Sequence, residues 1–161
     1  MPPLSLVRTA GRSVARDTAR AMSQENVEFL EGLFAGADDM DKQALLDALP
    51  DLIPQMCDPD IEWVEDPRRA DRRTYRGHEG VRESFERWLE NFEEWEFEVE
   101  RMVDCGDRVL VVTREEGRGS RSGASISQRN YMVFTFRDGK VARYEEFYEE
   151  RDALEAAGLR E

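Results

Sequence analysis

Apolar residues recur along the chain with two different periods, and the periods divide it into helices and strands. Val27, Leu30 and Phe34 fall on one helical face, widened by Phe29 and Leu33, with Ser23 placed to cap the helix and Gly36 to loosen it. Leu45, Leu49 and Leu52, flanked by Leu46, Ile53 and Met56, define a second helix capped by Asp41. Pro50 inside it costs about 3 kcal/mol in a helix interior, which predicts a kink or a restart there. Asp58-Pro59-Asp60 turns the chain into a short strand, IEWVE, with Ile61 and Trp63 on one face. Val81, Phe85, Trp88, Leu89 and Phe92 then make one stripe of a third helix, with Arg82, Glu83, Glu86, Arg87 and Glu90 off it.

After this helix the period changes to two. In WEFEVERMV, Trp95, Phe97, Val99 and Val103 share one face, and Glu96, Glu98 and Glu100 the other. DRVLVVTRE is apolar on both faces at Val109 to Val112, as a central strand is, and leaves the side taken by Arg114 undecided. GRGSRSGAS reads as a mobile linker, and RDALEAAGLRE as a short terminal helix stopped at Gly158.

FTFRDGKVARYEEF, residues 134–147, is a hairpin, because a two-residue Asp-Gly loop between apolar runs is a strong signal for a tight turn. Regular pairing around Asp138-Gly139 sets Phe136 opposite Val141, Phe134 opposite Arg143, Met132 opposite Glu145 and Asn130 opposite Phe147, all on one face. Glu145 then lies among apolar residues. Tyr131, Val133 and Thr135 share the other face with Tyr144, Glu146 and Tyr148, so Glu146 faces outward by this count.

Three helices followed by long antiparallel strands give an α+β layout, a curved sheet wrapped around helices. Residues 1–21, with four arginines against Asp17, differ from the acidic remainder and read as a disordered basic extension ahead of one domain over 22–161. A net charge of −13 argues against nucleic acid as a partner. The chain has no apolar run of 18 residues, so no membrane span is expected, and the reading is of a cytoplasmic protein. Cys57 and Cys105 lack metal-site spacing and read as free thiols. Neither a metal nor a nucleotide cofactor is implied, since the phosphate-loop spacing is missing too.

MSQENVEFLEGLF, DPDIEWVED, YRGHEGVRESFERW, CGDRVLVV and FRDGKVARYEEFYEERDALEAAGL together resemble the SnoaL-like branch of the nuclear transport factor 2-like superfamily, over residues 22–160. The resemblance implies a cone-shaped fold, three N-terminal helices packed on a curved, mainly antiparallel sheet, whose apolar mouth holds a small organic molecule. It also implies a homodimer through the outer sheet face, where Tyr131, Tyr144 and Tyr148 would lie. Members include polyketide cyclases, ketosteroid isomerases, epoxide hydrolases, dehydratases and non-catalytic modules, so the fold alone does not name a function. A dehydratase-like pair of histidines is excluded, because the chain has only His78. A ketosteroid-isomerase-like donor is missing where Phe29 and Phe34 stand, and an epoxide-hydrolase-like site would draw on Glu145, Arg143 and Asp66.

Glu145 is the leading candidate for a general acid or base, since burial among apolar groups lifts a carboxylic acid toward neutral pH. Arg143 supplies the rival reading: two residues along one strand are about 6.7 Å apart, so the pair can also close as a salt bridge. Asp66 and His78 are secondary catalytic candidates. Trp63, Trp88, Phe92, Met132, Phe134 and Phe147 are expected to line the ligand site, with Asn130 donating to a ligand carbonyl and Arg143 beside it. Arg68, Arg69, Arg72, Arg73 and Arg76 form either a solvated loop or an anion-binding lip. The expected function is binding of a small apolar molecule with cofactor-free isomerase, cyclase or hydrolase chemistry; the alternative is a non-catalytic binding or dimerisation module.

Overall fold

A computed structural model describes residues 4–159, with side chains described from residue 16 onward. Four helices and six strands follow in the order α1 (Leu4–Asp38), α2 (Lys42–Met56), β1 (Cys57–Val64), β2 (Thr74–Arg76), α3 (Gly77–Glu90), β3 (Phe92–Asp104), β4 (Arg108–Gly119), β5 (Ser125–Arg137), β6 (Lys140–Phe147) and α4 (Glu150–Ala156). The strands form one curved sheet in the order β2-β1-β6-β5-β4-β3. Every pairing is antiparallel except β1 with β6.

Alternation puts the two sheet faces into different cores. Val109, Val111, Met132, Phe134, Phe136 and Tyr144 face α1, α2 and α3 and pack with Leu30, Leu49, Ile53, Val81 and Leu89. Leu110, Val112, Tyr131, Val133 and Phe147 face the other way and are covered by Ala153 of α4 and Ala157 at its end. The central strands are therefore apolar on both faces because both are covered.

The first helix departs from expectation. Its backbone is already helical at Leu4, so the arginine-rich stretch set apart by composition continues into the first helix; residues 1–3 lie outside the described residues. Between Arg12 and Glu31 no Gly or Pro interrupts the helix. Ser23 is accordingly mid-helix and no cap, its Oγ 3.0 Å from Arg20 O and 2.9 Å from Asp104 Oδ2. Residues 16–22 are all exposed and packing begins at Ser23, where the composition changes. Asp41 caps α2, its Oδ1 accepting the Ala44 N–H at 2.8 Å, and α2 runs past Pro50 and Pro54 without a restart.

In place of a mobile linker, β4 and β5 continue almost to their turn, where Gly119 N–H donates to Ala124 O at 3.0 Å. Asp138 and Gly139 have φ of 52° and 79°, the double left-handed turn expected of Asp-Gly. Gly158, at φ 78°, ends the last helix, and Leu159 N–H closes back on Leu154 O at 2.9 Å.

Two bulges change which side chains face the helices. On β3, Val99 pairs with Thr113 but Arg101 with Val112, so Glu100 is extra; Met102 then turns to the helix side and Val103 to the α4 side. On β6, Val141 pairs with Phe136 but Arg143 with Thr135, so Ala142 is extra. A one-residue offset exchanges the two faces of every residue beyond it.

Candidate functional site

The β6 bulge creates the site. Beyond Ala142 the pairs are Phe134 with Tyr144, Val133 with Glu145 and Met132 with Glu146. Tyr144 and Glu146 consequently point to the helix side, into a cavity of about 260 Å³, while Glu145 and Phe147 point away from it. Phe34 of α1, Met40 in the turn after it, Leu45 and Met56 of α2, Phe85 and Trp88 of α3, and Trp95 and Phe97 of β3 supply its apolar walls. Trp63 stacks on Tyr144 with ring centroids 3.7 Å apart, and Phe134 meets Tyr144 edge-on at 5.2 Å.

Seven polar side chains reach this apolar space: Glu65, Arg69, Ser84, Thr113, Glu115, Asn130 and Glu146. Glu146 is mostly buried, and burial pushes its carboxyl up to about 7. The Tyr148 hydroxyl, which donates to it, and the Arg69 guanidinium pull the other way; Glu115 and Glu65 add to the rise. Arg69 lies 3.5 Å from Glu65 Oε1 and 3.6 Å from Asp71 Oδ1. Glu115 is buried and its carboxyl is raised by desolvation, against which three neutral donors act. Those donors are Asn130 Nδ2 at 3.3 Å, Gln128 Nε2 at 3.4 Å and Thr113 Oγ1 at 3.4 Å. Burial also holds the Tyr144 hydroxyl well above its ordinary range, so it stays protonated. The site thus joins an apolar cavity to a carboxyl raised to about 7 by burial.

Glu145 forms the ion pair that rivalled the catalytic reading. Its Oε1 is 3.2 Å from Arg143 Nε, and Arg143 Nη1 is 2.6 Å from Glu62 Oε2, on the far side of the sheet from the cavity. Arg143 and Phe147 therefore lie outside the cavity together with Glu145, all three by the same bulge. Trp63, Trp88, Asn130, Met132 and Phe134 do line the cavity, whereas Phe92 sits behind the wall against Trp88, centroids 5.2 Å apart.

Asp66 is 1% exposed and accepts the N–H groups of Arg68 and Tyr148, each at 2.6 Å; it does not line the cavity. His78 Nε2 lies 2.9 Å from Cys57 O and joins α3 to β1 away from the cavity. Of the tyrosines expected on the outer face, Tyr144 is inside, Tyr148 turns its hydroxyl to Glu146, and Tyr131 lies under α4. The far end of that face carries exposed Glu96, Glu98, Arg114 and Arg129. The arginine-rich stretch is a largely exposed segment whose cations meet acids of the body: Arg68 pairs with Glu149 at 2.7 Å and Arg76 with Glu62 at 2.9 Å, while Arg69 reaches the cavity. Glu115 was legible, since Val109, Val111, Thr113 and Glu115 alternate on one face; Glu146 was not, because a bulge leaves no mark in the hydrophobic pattern. Among the described residues no cluster of His, Cys, Asp and Glu is arranged to hold a metal, and no helix is long and apolar enough to cross a membrane.

An α+β cone with a cavity between three helices and the concave face of the sheet defines a nuclear transport factor 2-like protein, and the comparisons agree. The SnoaL-like domain profile matches residues 15–144, and the chain belongs to that family. Among solved structures it is similar to TerC co-crystallised with polyporic acid, with TM-score 0.59 and 24% identity over 83% of this chain and 98% of that one. A protein from Jannaschia sp. CCS1, classed as a SnoaL-like polyketide cyclase, gives TM-score 0.63 and 22% identity over 86% and 94%. A nuclear transport factor 2-like protein from Burkholderia xenovorans LB400 gives TM-score 0.57 and 26% identity over 83% and 96%. No curated protein matches the chain in sequence.

Proposed function

We propose that the protein binds a small, mainly apolar organic molecule in this cavity and performs cofactor-free acid/base chemistry on it, an isomerisation, cyclisation or hydrolysis. Glu146 is the proton-transferring group. The observation that carries this reading is the position of its carboxyl: inside an apolar cavity, at about 7, where both protonation states are populated at neutral pH. A group so poised takes a proton from an activated C–H or a water and returns it within one turnover. Tyr148 and Arg69 both favour the ionised form that acts as the base. The aromatic walls exclude water and orient the ligand. That TerC was crystallised with polyporic acid supports a small-molecule occupant for a cavity of this kind.

The test is a thermal-shift screen of cyclic ketones, lactones, epoxides and polyketide-like aromatics against wild type, E146Q and E145Q, followed by turnover assays on the hits. Binding that E145Q keeps, with turnover that E146Q lowers by roughly 10²–10⁴-fold, supports the proposal. Binding with no turnover by wild type would make the protein a binding module instead.

A further inference from the structure

One side of the cavity offers hydrogen bonds that the protein itself does not use. Tyr144 on β6 and Ser84 on α3 both line the cavity, at 5% and 8% exposure, and neither hydroxyl has a hydrogen-bond partner among the described residues. For Tyr144 this is not for want of acceptors in the neighbourhood. Glu146, Glu115 and Glu65 stand close enough to act on it electrostatically, yet it donates to none of them.

The ring is not free to turn toward one. It is stacked on Trp63 with centroids 3.7 Å apart and meets Phe134 edge-on at 5.2 Å, so its hydroxyl is held at one place on the wall. Burial keeps that hydroxyl protonated, and hence a donor, throughout the neutral range. A buried donor without an acceptor costs about 1–3 kcal/mol, and a phenylalanine would fill the same space without that cost. Packing therefore does not call for the hydroxyl; a bound acceptor does.

The opening of the cavity lies on the other side. Of the residues that line it, Gly32, Gly36 and Met40 are the exposed ones, so it opens beside the end of α1, which packs over β3 and β4. Tyr144 and Ser84 lie toward β1, where α3 covers the sheet. A molecule that enters beside α1 brings its leading end to the two hydroxyls.

The charges decide what kind of acceptor that end carries. Glu65, Glu115 and Glu146 line the cavity with one cation, Arg69, which is already shared between Glu65 and Asp71. An anionic ligand would enter a field of its own sign in an apolar space, whereas a neutral carbonyl oxygen loses little by leaving water once it has a donor. We infer that the ligand is a neutral, mainly apolar carbonyl compound whose oxygen accepts the Tyr144 hydroxyl, with Ser84 as the second donor of the same wall. The inference rests on the reading of this cavity as the ligand site and adds the chemical class of the ligand and the residue that selects it.

The experiment compares wild type with Y144F by equilibrium dialysis at pH 7 and by thermal unfolding without ligand. The probes share one skeleton: 2-acetonaphthone, its hydrocarbon counterpart 2-isopropenylnaphthalene, in which a methylene replaces the carbonyl oxygen, and 2-naphthoic acid. The expected result is that Y144F binds the ketone about five- to tenfold more weakly than wild type does and the hydrocarbon within about twofold. Without ligand the variant is as stable as wild type or more stable, which a hydroxyl bonded inside the protein would not allow. The acid binds wild type at least about tenfold more weakly than the ketone. Unchanged ketone affinity in Y144F, equal loss for ketone and hydrocarbon, binding of the acid as tight as that of the ketone, or a Tm lowered by more than about 4 °C in Y144F would each overturn the inference and leave the cavity a ligand site. Binding of none of the three to folded wild type would overturn the cavity reading as well.

Discussion

Asp66 Oδ2 accepts the backbone N–H of Tyr148 at 2.6 Å, across 82 residues of sequence, and so fixes the backbone of a residue whose hydroxyl lowers the Glu146 carboxyl. The other carboxylate oxygen takes the Arg68 N–H at 2.6 Å, and Arg68 in turn pairs with Glu149 at 2.7 Å. Asp66 thus ties the turn after β1 to the end of β6. An Asp66→Asn change turns an NH₂ group toward one of two buried N–H donors. The expected cost is about 1.5–3 kcal/mol, a fall in Tm of roughly 4–10 °C, read by thermal unfolding. An unchanged Tm would show that these bonds contribute nothing net.

Glu146 makes stability depend on pH with a definite sign. Its folded value of about 7 lies above the ordinary 4.5, so between these two pH values the folded state holds a proton that the unfolded state has lost. Stability contributed by this residue is therefore complete below about 4.5, falls as pH rises toward 7, and is level above it. Glu146→Gln removes that loss. The variant should equal wild type near pH 4.5 and exceed it at pH 8 by up to about 3 kcal/mol, as checked by urea denaturation at both pH values. A variant less stable than wild type at pH 8 would contradict the assigned burial.

The Arg143–Glu145 pair is half-exposed and continues through Glu62 to Arg76. Pairs of this kind are worth about 0–1 kcal/mol, so Glu145→Gln should leave stability within that range and ligand binding unchanged. Loss of binding in Glu145→Gln with binding intact in Glu146→Gln would reverse the assignment of the two residues.

Deleting Ala142 removes the extra residue and leaves Val141 opposite Phe136 and Arg143 opposite Thr135 in regular register, so Tyr144 and Glu146 keep the helix side. The expected outcome is a folded variant with a cooperative thermal transition and a near-UV circular dichroism spectrum like that of wild type. Loss of the cooperative transition would mean that the bend made by the bulge is itself required for the sheet to close.

His78 joins α3 to β1 through Cys57 O at 2.9 Å, outside the cavity. Its replacement by Ala should cost about 1 kcal/mol and leave ligand affinity as it was, measured by unfolding and by calorimetry.

The hydrophobic pattern located the helices and the long strands because burial forces apolar groups onto one side of each element, at 3.6 or 2.0 residues per repeat. Asp41, Asp138-Gly139 and Gly158 were legible as cap, turn and stop because each acts through its own backbone within a few residues. β2 went unread: three residues between arginines carry no period, and the strand forms because β1 offers an edge to pair with. The arginines of that stretch were visible as a cluster, but their partners come from β1, α3 and α4, far along the chain.

The sequence by itself determined the α+β class, the family, an apolar cavity lined by Trp63, Trp88, Met132 and Phe134, and a carboxyl at the end of the last hairpin. Only the tertiary structure decided that the carboxyl in the cavity is Glu146 and not Glu145. The physical reason is the period of a strand: side chains alternate with a repeat of two, so one unpaired residue, Ala142, reverses everything after it. Whether a strand bulges depends on how it must bend to pair with β5 on one side and β1 on the other, which is a property of the closed sheet.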